Sequence, residues 1–268
     1  ATEQSIPMIY VNQVGGQDEL VFDGGSFAVN ADGELAVVAP DFKEGCFELS
    51  VERTVRGVEI AQGVAANALS DVAAVWQALV LGVRDYVEKN GFPGVVLGLS
   101  GGIDSAVTLA VAVDALGADR VQAVMMPFKY TADMSVEDAG EQASIMGVEY
   151  DVISIEPIYE AFMAGLNDQF DGLSVDTTEE NLQARCRGVL LMSISNKKHR
   201  LVLTTGNKSV LAVGYSTLYG DMAGGFDALK DCPKLLVYAL ARYRNTLGYC
   251  IPQRVIDRPP SAEVAPDQ

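Results

Sequence analysis

Residues 95–106 read Val-Val-Leu-Gly-Leu-Ser-Gly-Gly-Ile-Asp-Ser-Ala, and their reading decides the fold. The apolar run Val95, Val96, Leu97 and Leu99 predicts a buried strand, and the Ala-, Val- and Leu-rich stretch from Ala106 to Leu116 predicts a helix. Between them lie Ser100, Gly101, Gly102, Ile103, Asp104 and Ser105. Adjacent glycines let the backbone turn tightly and bring its N–H groups close to an anion, and the helix start adds partial positive charge. Ser100 and Ser105 offer hydroxyl donors. Asp104 would repel a phosphate, so its presence points to a magnesium ion bridging carboxylate and ligand. The plainer reading is a βα turn with Asp104 and Ser105 capping the next helix; it accounts for two glycines but not for the whole six-residue string. The turn is not a Walker P-loop, because it holds no lysine, and Gly206-Asn207-Lys208-Ser209 interposes an asparagine.

Downstream of this turn the pattern alternates. Strands are expected over Val121–Met125, Tyr150–Ile155 and Arg200–Thr204, and helices over Ser135–Met146, Ile158–Phe170 and Glu179–Ser195. Such alternation predicts an α/β fold, a doubly wound parallel sheet with helices on both faces. Ligands in such sheets bind at the carboxyl ends of the strands, where the Ser100–Ser105 turn and Thr204-Thr205-Gly206-Asn207 both fall. Gly214 to Asp231 reads as a loop long enough to be functional, and Asp231 as the cap of a helix reaching Asn245.

Upstream the pattern is β and turn. Met8–Val11, Glu19–Phe22, Ser26–Val29 and Leu35–Val38 are short runs, the last two joined by the hairpin signal Asn30-Ala31-Asp32-Gly33. From Asn67 to Asn90 the period becomes helical, with Val72, Val75, Trp76, Leu79, Val80, Val83 and Val87 on one stripe. Gly57 to Gly63 marks the boundary, so the chain divides into a β-rich partial domain over 1–56, a linker over 57–69 and an α/β domain over 70–268.

The composition narrows the function classes. No stretch approaches the roughly 20 uninterrupted apolar residues of a membrane span, and Ala-Thr-Glu-Gln opens no signal peptide. The chain reads as soluble and cytoplasmic. A formal charge of −17 repels polyanions and argues against a nucleic-acid partner. Cys46, Cys186, Cys232 and Cys250 form no CxxC pair, so reduced thiols are expected rather than a zinc site. His199, the one histidine, sits at a helix-to-strand junction and reads as structural. With no initial methionine and no element at its end, the chain reads as a piece of something longer, truncated at its C-terminus.

The Ser100–Ser105 turn resembles the PP-loop of the N-type ATP pyrophosphatases. Further strings narrow the resemblance to the NAD synthetases: Glu180-Asn181-Leu182-Gln183-Ala184-Arg185-Cys186-Arg187-Gly188, Thr204 to Ser209, Gly214 to Phe226, Leu229 to Lys234, and Arg258-Pro259-Pro260-Ser261-Ala262-Glu263. Asn12 to Gly24 resembles the closing part of the nitrilase-like glutaminase domain of glutamine-dependent NAD synthetases. That family's nucleophilic cysteine, glutamate and lysine would lie upstream of this segment, and Cys46 matches no catalytic position.

The resemblance implies adenylylation of deamido-NAD by ATP with release of pyrophosphate, then attack by ammonia on the acyl-adenylate to give NAD and AMP. It implies ATP contacts from Ser100, Gly101, Gly102, Asp104, Ser105, Thr205 and Ser261, and deamido-NAD contacts from Asn181, Arg185, Asp221 and Lys234. Asp104, Lys208 and Lys234 would be catalytic, and Asp104 the ligand of a magnesium ion. A homo-oligomer is implied too. Two positions depart from the family pattern. Val210 stands where a magnesium-binding glutamate is usual, and Leu235 where threonine is usual. A valine offers no lone pair to a hard cation, which implies weakened metal affinity and adenylylation. The alternatives are another PP-loop amidotransferase, such as GMP synthetase, and a catalytically impaired nucleotide-binding module.

Overall fold

The computed structural model describes residues 1–55, 57–261, 263 and 265. The chain packs as two compact units, Ala1–Tyr86 and Val87–Gln268.

In the first unit, β1 (Met8–Tyr10), β4 (Phe27–Val29) and β5 (Leu35–Val38) form an antiparallel sheet in the order β1-β4-β5. The β4–β5 hairpin turns at the expected Asn30–Gly33, with Gly33 at φ 90°. Two further hairpins are β2 (Val14–Gln17) with β3 (Leu20–Asp23), and β6 (Val51–Thr54) with β7 (Gly57–Ile60). Ala28, Ala36, Val37 and Ile60 make a small core. Asn30 fastens β7 to it: its Nδ2 donates to the Ile60 carbonyl at 2.9 Å, and its Oδ1 accepts the Ile60 N–H at 2.8 Å. The stretch from Gly57, read above as boundary, thus carries a strand. Helix α1 (Asp71–Lys89) follows, with Trp76, Val83 and Val87 of its stripe buried.

The second unit is the expected α/β layer structure. Its strands are β8 (Val95–Gly98), β9 (Val121–Met125), β10 (Glu149–Val152), β11 (Leu201–Thr204) and β12 (Phe226–Asp227), and its helices α2 (Ile103–Leu116), α3 (Asp133–Met146), α4 (Glu156–Phe170), α5 (Thr177–Lys198), α6 (Lys208–Ala212), α7 (Lys234–Leu247) and α8 (Gln253–Asp257). All five strands are parallel, in the order β10-β9-β8-β11-β12. Strands β8, β9 and β11 are almost wholly buried, because helices cover both faces. On one face Val96, Val124 and Val202 pack with Cys186 and Leu191 of α5; α2 lies on β8 and β9 from the other, with α3 and α7 beside it.

The chain runs outward from β8 through β9 to β10, then returns to place β11 on the opposite side of β8. The loops after β8 and β11 therefore leave neighbouring strand ends in opposite directions, which opens a crevice at the carboxyl edge.

Three local readings change. Helix α2 starts at Ile103 with Gly102 as its N-cap, so Asp104 and Ser105 lie in its first turn rather than ahead of it. Pro233, not Asp231, precedes α7, and the first N–H of that helix, on Lys234, donates to the Ser209 hydroxyl at 3.1 Å. The Gly214–Asp231 loop contributes the two-residue edge strand β12.

Candidate active site

A cavity of about 700 Å³ opens at the crevice, at the carboxyl ends of β8, β9 and β11. Its floor is the Ser100–Ser105 turn. Gly101 adopts φ 76°, and a Cβ there would sit 2.2 Å from the Ser135 carbonyl oxygen, so only glycine permits both the turn and its packing on α3. The Ser105 hydroxyl braces the loop: it donates to the Gly102 carbonyl at 3.0 Å and accepts the Ser100 N–H at 3.2 Å. Ser100 is exposed to the cavity, and its Oγ accepts the Gly102 N–H at 3.3 Å, a long bond that an anion can replace. Gly102 has no side chain with which to cap α2, so that helix presents its first N–H groups to the cavity.

Asp104 projects from the first turn of α2 and is held from both sides. Its Oδ1 accepts Asn207 Nδ2 at 2.9 Å, and its Oδ2 accepts Lys234 Nζ in an ion pair. The three residues come from the starts of α2, α6 and α7. Asn207, fully buried, caps α6 by accepting the Ser209 and Val210 N–H groups on Oδ1, which leaves its amide donor aimed at Asp104. Lys234 and Asp104 retain about a quarter of their side-chain exposure, and the lysine ammonium lies 6.0 Å from the centre of the Tyr238 ring. Burial, and after it the Asp104 charge, pushes the Tyr238 phenol up.

The opposite wall is α5 and the Gly214–Asp231 loop. The capping box of Asp176 and Glu179 starts α5, and small residues on its inner face admit the loop: a Cβ on Gly188 would meet the Gly220 carbonyl oxygen at 2.5 Å. Asn181 Oδ1 accepts the Thr217 hydroxyl at 2.7 Å, and Arg185 Nε donates to the Leu218 carbonyl at 3.3 Å. Arg187 lines the cavity, with Nε donating to the Met126 carbonyl at 3.2 Å. Burial pulls its guanidinium below its ordinary value, and Asp221 opposes that; burial likewise pushes the Asp221 carboxyl up, against Arg187. The two are a desolvated pair of opposite charge facing the same space.

Of the residues singled out in the sequence, Ser100, Gly102, Asp104, Ser105, Thr205, Asn181, Asp221, Lys234 and Ser261 line this one cavity. Gly101 supports it from behind. Arg185 and Lys208 lie outside the lining: Arg185 clamps the loop from its exposed side, and Lys208, exposed, starts α6 with its N–H on the Cys232 carbonyl at 3.0 Å. Arg187, Asn207, Tyr238 and Arg258 carry site geometry that no local pattern assigned to them. For Asn207 the signal was available, an asparagine at a strand end ahead of a helix.

The protein's own donors do not build a resident divalent-cation site. Both oxygens of Asp104 are engaged, Val210 turns a side chain without lone pairs to the same cavity, and among the described residues no three His, Cys, Asp or Glu side chains come together. What remains is a cradle for an extended anion, with backbone N–H groups, a hydroxyl and an ammonium on one side, and an apolar slot of Val124, Met125, Met126 and Leu203 beside it.

Comparison with known proteins agrees with this geometry. The NAD synthase family model matches residues 75–268. The glutamine-dependent NAD(+) synthetase of Acinetobacter baylyi is 58% identical over 98% of this chain and 49% of its own length. The structure of glutamine-dependent NAD+ synthetase from Acinetobacter baumannii in complex with ADP superposes with a TM-score of 0.93 at 55% identity, over 96% of this chain and 49% of that one. The NH3-dependent NAD synthetase from Campylobacter jejuni, in complex with nitrate, gives 0.63 at 33% identity over 70% and 77%. This chain therefore spans about half the length of the curated relatives it matches. No helix among the described residues is long and apolar enough to cross a membrane. A family match over residues 75–268, most of the chain, together with 58% identity to a curated relative, makes this chain a member of the NAD synthase family.

Proposed function

We propose that this chain carries out ATP-dependent amidation of deamido-NAD to NAD, with ammonia as its nitrogen donor. The observation that carries the proposal is the meeting of the Ser100–Ser105 turn with Lys234 around Asp104, in a cavity at the switch point of a parallel sheet. The nicotinate carboxylate attacks the α-phosphorus of ATP and pyrophosphate departs; ammonia then attacks the acyl carbon, its nitrogen replacing AMP. Charge builds on the departing pyrophosphate. The Gly102 N–H, the Ser100 hydroxyl and the α2 N-terminus face it as preorganised donors, and Lys234 brings a full positive charge. Asp104 and Asn207 hold that ammonium in place. Thr205 and Ser261 flank the nucleotide, while Asn181, Asp221 and Arg187 form the wall for deamido-NAD, with Arg185 shaping that wall from behind. Lys208 would act from the rim. The ADP bound by the Acinetobacter baumannii relative supports an adenine nucleotide here.

Magnesium enters this reading as the counter-ion of ATP, with Asp104 as the carboxylate of the Ser100–Ser105 turn that would face it. Val210 favours a second reading, a nucleotide-binding module with slow chemistry. Residues 1–56, which resemble the closing part of a glutaminase-like domain and are joined by 57–69 to the synthetase part, hold Cys46 at no nucleophile position, and this favours ammonia as the donor used by these 268 residues. One assay tests these points together. The chain is incubated with ATP, magnesium, deamido-NAD and either ammonium or glutamine, and NAD, AMP and pyrophosphate are followed. NAD with ammonium alone supports the proposal; ATP binding without pyrophosphate release supports the second reading; glutamine-driven turnover sinks the choice of donor.

A further inference from the structure

The segment just after α8 lies against the turn at the cavity floor, and one side chain joins them. Arg258, just after α8, donates from Nη2 to the Gly101 carbonyl at 3.0 Å and from Nη1 to the Ser135 hydroxyl at 3.0 Å. Two carboxylates keep the guanidinium there, Asp138 Oδ2 and Glu263 Oε1, each 4.0 Å away. Glu263 in turn accepts the Ser135 hydroxyl at 2.6 Å, the Ala132 N–H at 3.1 Å and the Ser261 hydroxyl at 3.1 Å. Asp138, 1% exposed, is anchored by Arg254 Nε at 2.9 Å. The start of α3 and the segment bearing Ser261 are thereby fixed to the turn through one planar cation.

The contact has a consequence for Gly102. In a trans peptide the carbonyl of one residue and the N–H of the next point in opposite directions. A guanidinium on the Gly101 carbonyl therefore fixes where the Gly102 N–H points, and Gly102 lines the cavity. Without Arg258 that peptide, set between two glycines, is restrained, among the described residues, only by the long 3.3 Å bond from the Gly102 N–H to Ser100 Oγ. We infer that Arg258 is a positioning residue for anion binding: it holds the Gly101–Gly102 peptide so that its N–H faces the phosphates, and it couples this orientation to the segment that carries Ser261. The inference rests on the nucleotide reading above. A lysine cannot replace the arginine, since only the planar fork reaches a carbonyl and a hydroxyl at fixed angles.

The test is calorimetric titration of ATP, and separately of adenosine, into the full 268-residue chain and its Arg258→Lys, Arg258→Met and Ser135→Ala variants. The ATP dissociation constant should rise about tenfold in both Arg258 variants, the size expected for one charge-assisted contact, while that for adenosine stays within twofold. Ser135 is fully buried and cannot touch a ligand, yet Ser135→Ala should reproduce part of the loss. The Gly102 amide resonance of the ligand-free protein should also move in Arg258→Lys. Unchanged ATP affinity in the Arg258 variants overturns the inference, as does equal weakening of ATP and adenosine. Weakened ATP binding with Ser135→Ala at full affinity and the Gly102 resonance unmoved makes Arg258 a direct phosphate ligand, and overturns it too. A wild-type chain that binds neither ligand removes the nucleotide reading itself.

Discussion

The two ends of the parallel sheet handle charge in opposite ways. At the amino end Glu149, first residue of β10, accepts Lys198 Nζ at 2.5 Å on one oxygen and Arg200 Nη1 at 2.6 Å on the other. Gln122 of β9 fills the space between, its Oε1 taking both cations at 3.1 Å and its Nε2 donating to Asp151 at 2.7 Å. Donors and acceptors balance, and each charged group has a partner of opposite sign or a shared amide. At the carboxyl end Arg187 has one backbone carbonyl, Asp221 answers it only through the field, and the Gly102 N–H has a long bond to a rotatable hydroxyl. A polar cluster that satisfies itself serves the fold. One left with donors over and a cavity in front of it is arranged for a ligand.

The largest effect expected from this contrast is at Lys234. Lys234→Met removes the ammonium that, in the proposed reaction, would face the departing pyrophosphate, and leaves Asp104 with Asn207 alone. NAD formation from ammonium should fall by about 10²–10³ in kcat, the size of losing one preorganised donor. The melting temperature should fall only modestly, because Asp104 keeps its hydrogen bond from Asn207 when the ammonium is gone. Initial rates beside a melting curve check this. A large loss of stability with rates intact would make the carboxyl end as structural as the amino end and erase the contrast.

Gly188→Ala comes next. Its new Cβ meets the Gly220 carbonyl oxygen at 2.5 Å, so the Gly214–Asp231 loop has to move off α5. Overpacking of this kind costs about 1–3 kcal/mol, and because the loop carries Asp221 the displacement should appear chiefly as a several-fold higher KM for deamido-NAD. An unchanged KM would detach that wall from substrate binding. Val210→Glu is smaller and of opposite sign. A second carboxylate beside Asp104 should tighten magnesium, read by calorimetry in the presence of ATP, by about tenfold or ~1.4 kcal/mol, and raise the rate of pyrophosphate release. Equal magnesium affinity in the two proteins would mean that Val210 is not what limits the metal.

How much of this was legible in the sequence depended on whether the relevant interactions were local. The run Val95–Leu99 and its glycine turn announced a buried strand and a sharp turn at its carboxyl end, because burial on both faces and a tight turn leave their marks within a dozen residues. The start of α2 was read three residues late, since Gly102 supplies an N-cap without a side chain and leaves no capping signature. Asp231 looked like a cap by residue type, yet Pro233, with its fixed φ of −62°, enters α7 directly. Strand β12 follows two glycines and has only two residues, too few for a period to show. Asn207 showed its capping role by position, but its contact with Asp104 and that of Arg258 with Gly101 were silent for a different reason: the partners stand 103 and 157 residues away in the chain. Only the crossing of β11 to the far side of β8, and the return of the chain at Arg258 to the turn, bring those groups together.

The smallest effect belongs to the amino end. Glu149→Gln should leave the KM for ATP and the rate of NAD formation unchanged, because no atom of that cluster reaches the cavity, and should lower stability by about 0.5–1 kcal/mol, as for a largely solvated ion pair. Its signature is in the pH dependence. The hydrogen bond from Lys198, more than that from Arg200, holds the Glu149 carboxyl below its ordinary value, with burial working against both. A carboxyl lowered in the folded state binds fewer protons there than in the unfolded chain. Its contribution is therefore complete above the unfolded value, roughly 4.3 for glutamate, and is lost as pH falls through the lower folded one. Denaturant titrations of wild type and Glu149→Gln should differ at pH 7 and converge as the pH drops below about 4. A constant difference down to the lowest pH at which the chain folds would show that packing of the side chain, not its charge, is what β10 takes from Glu149.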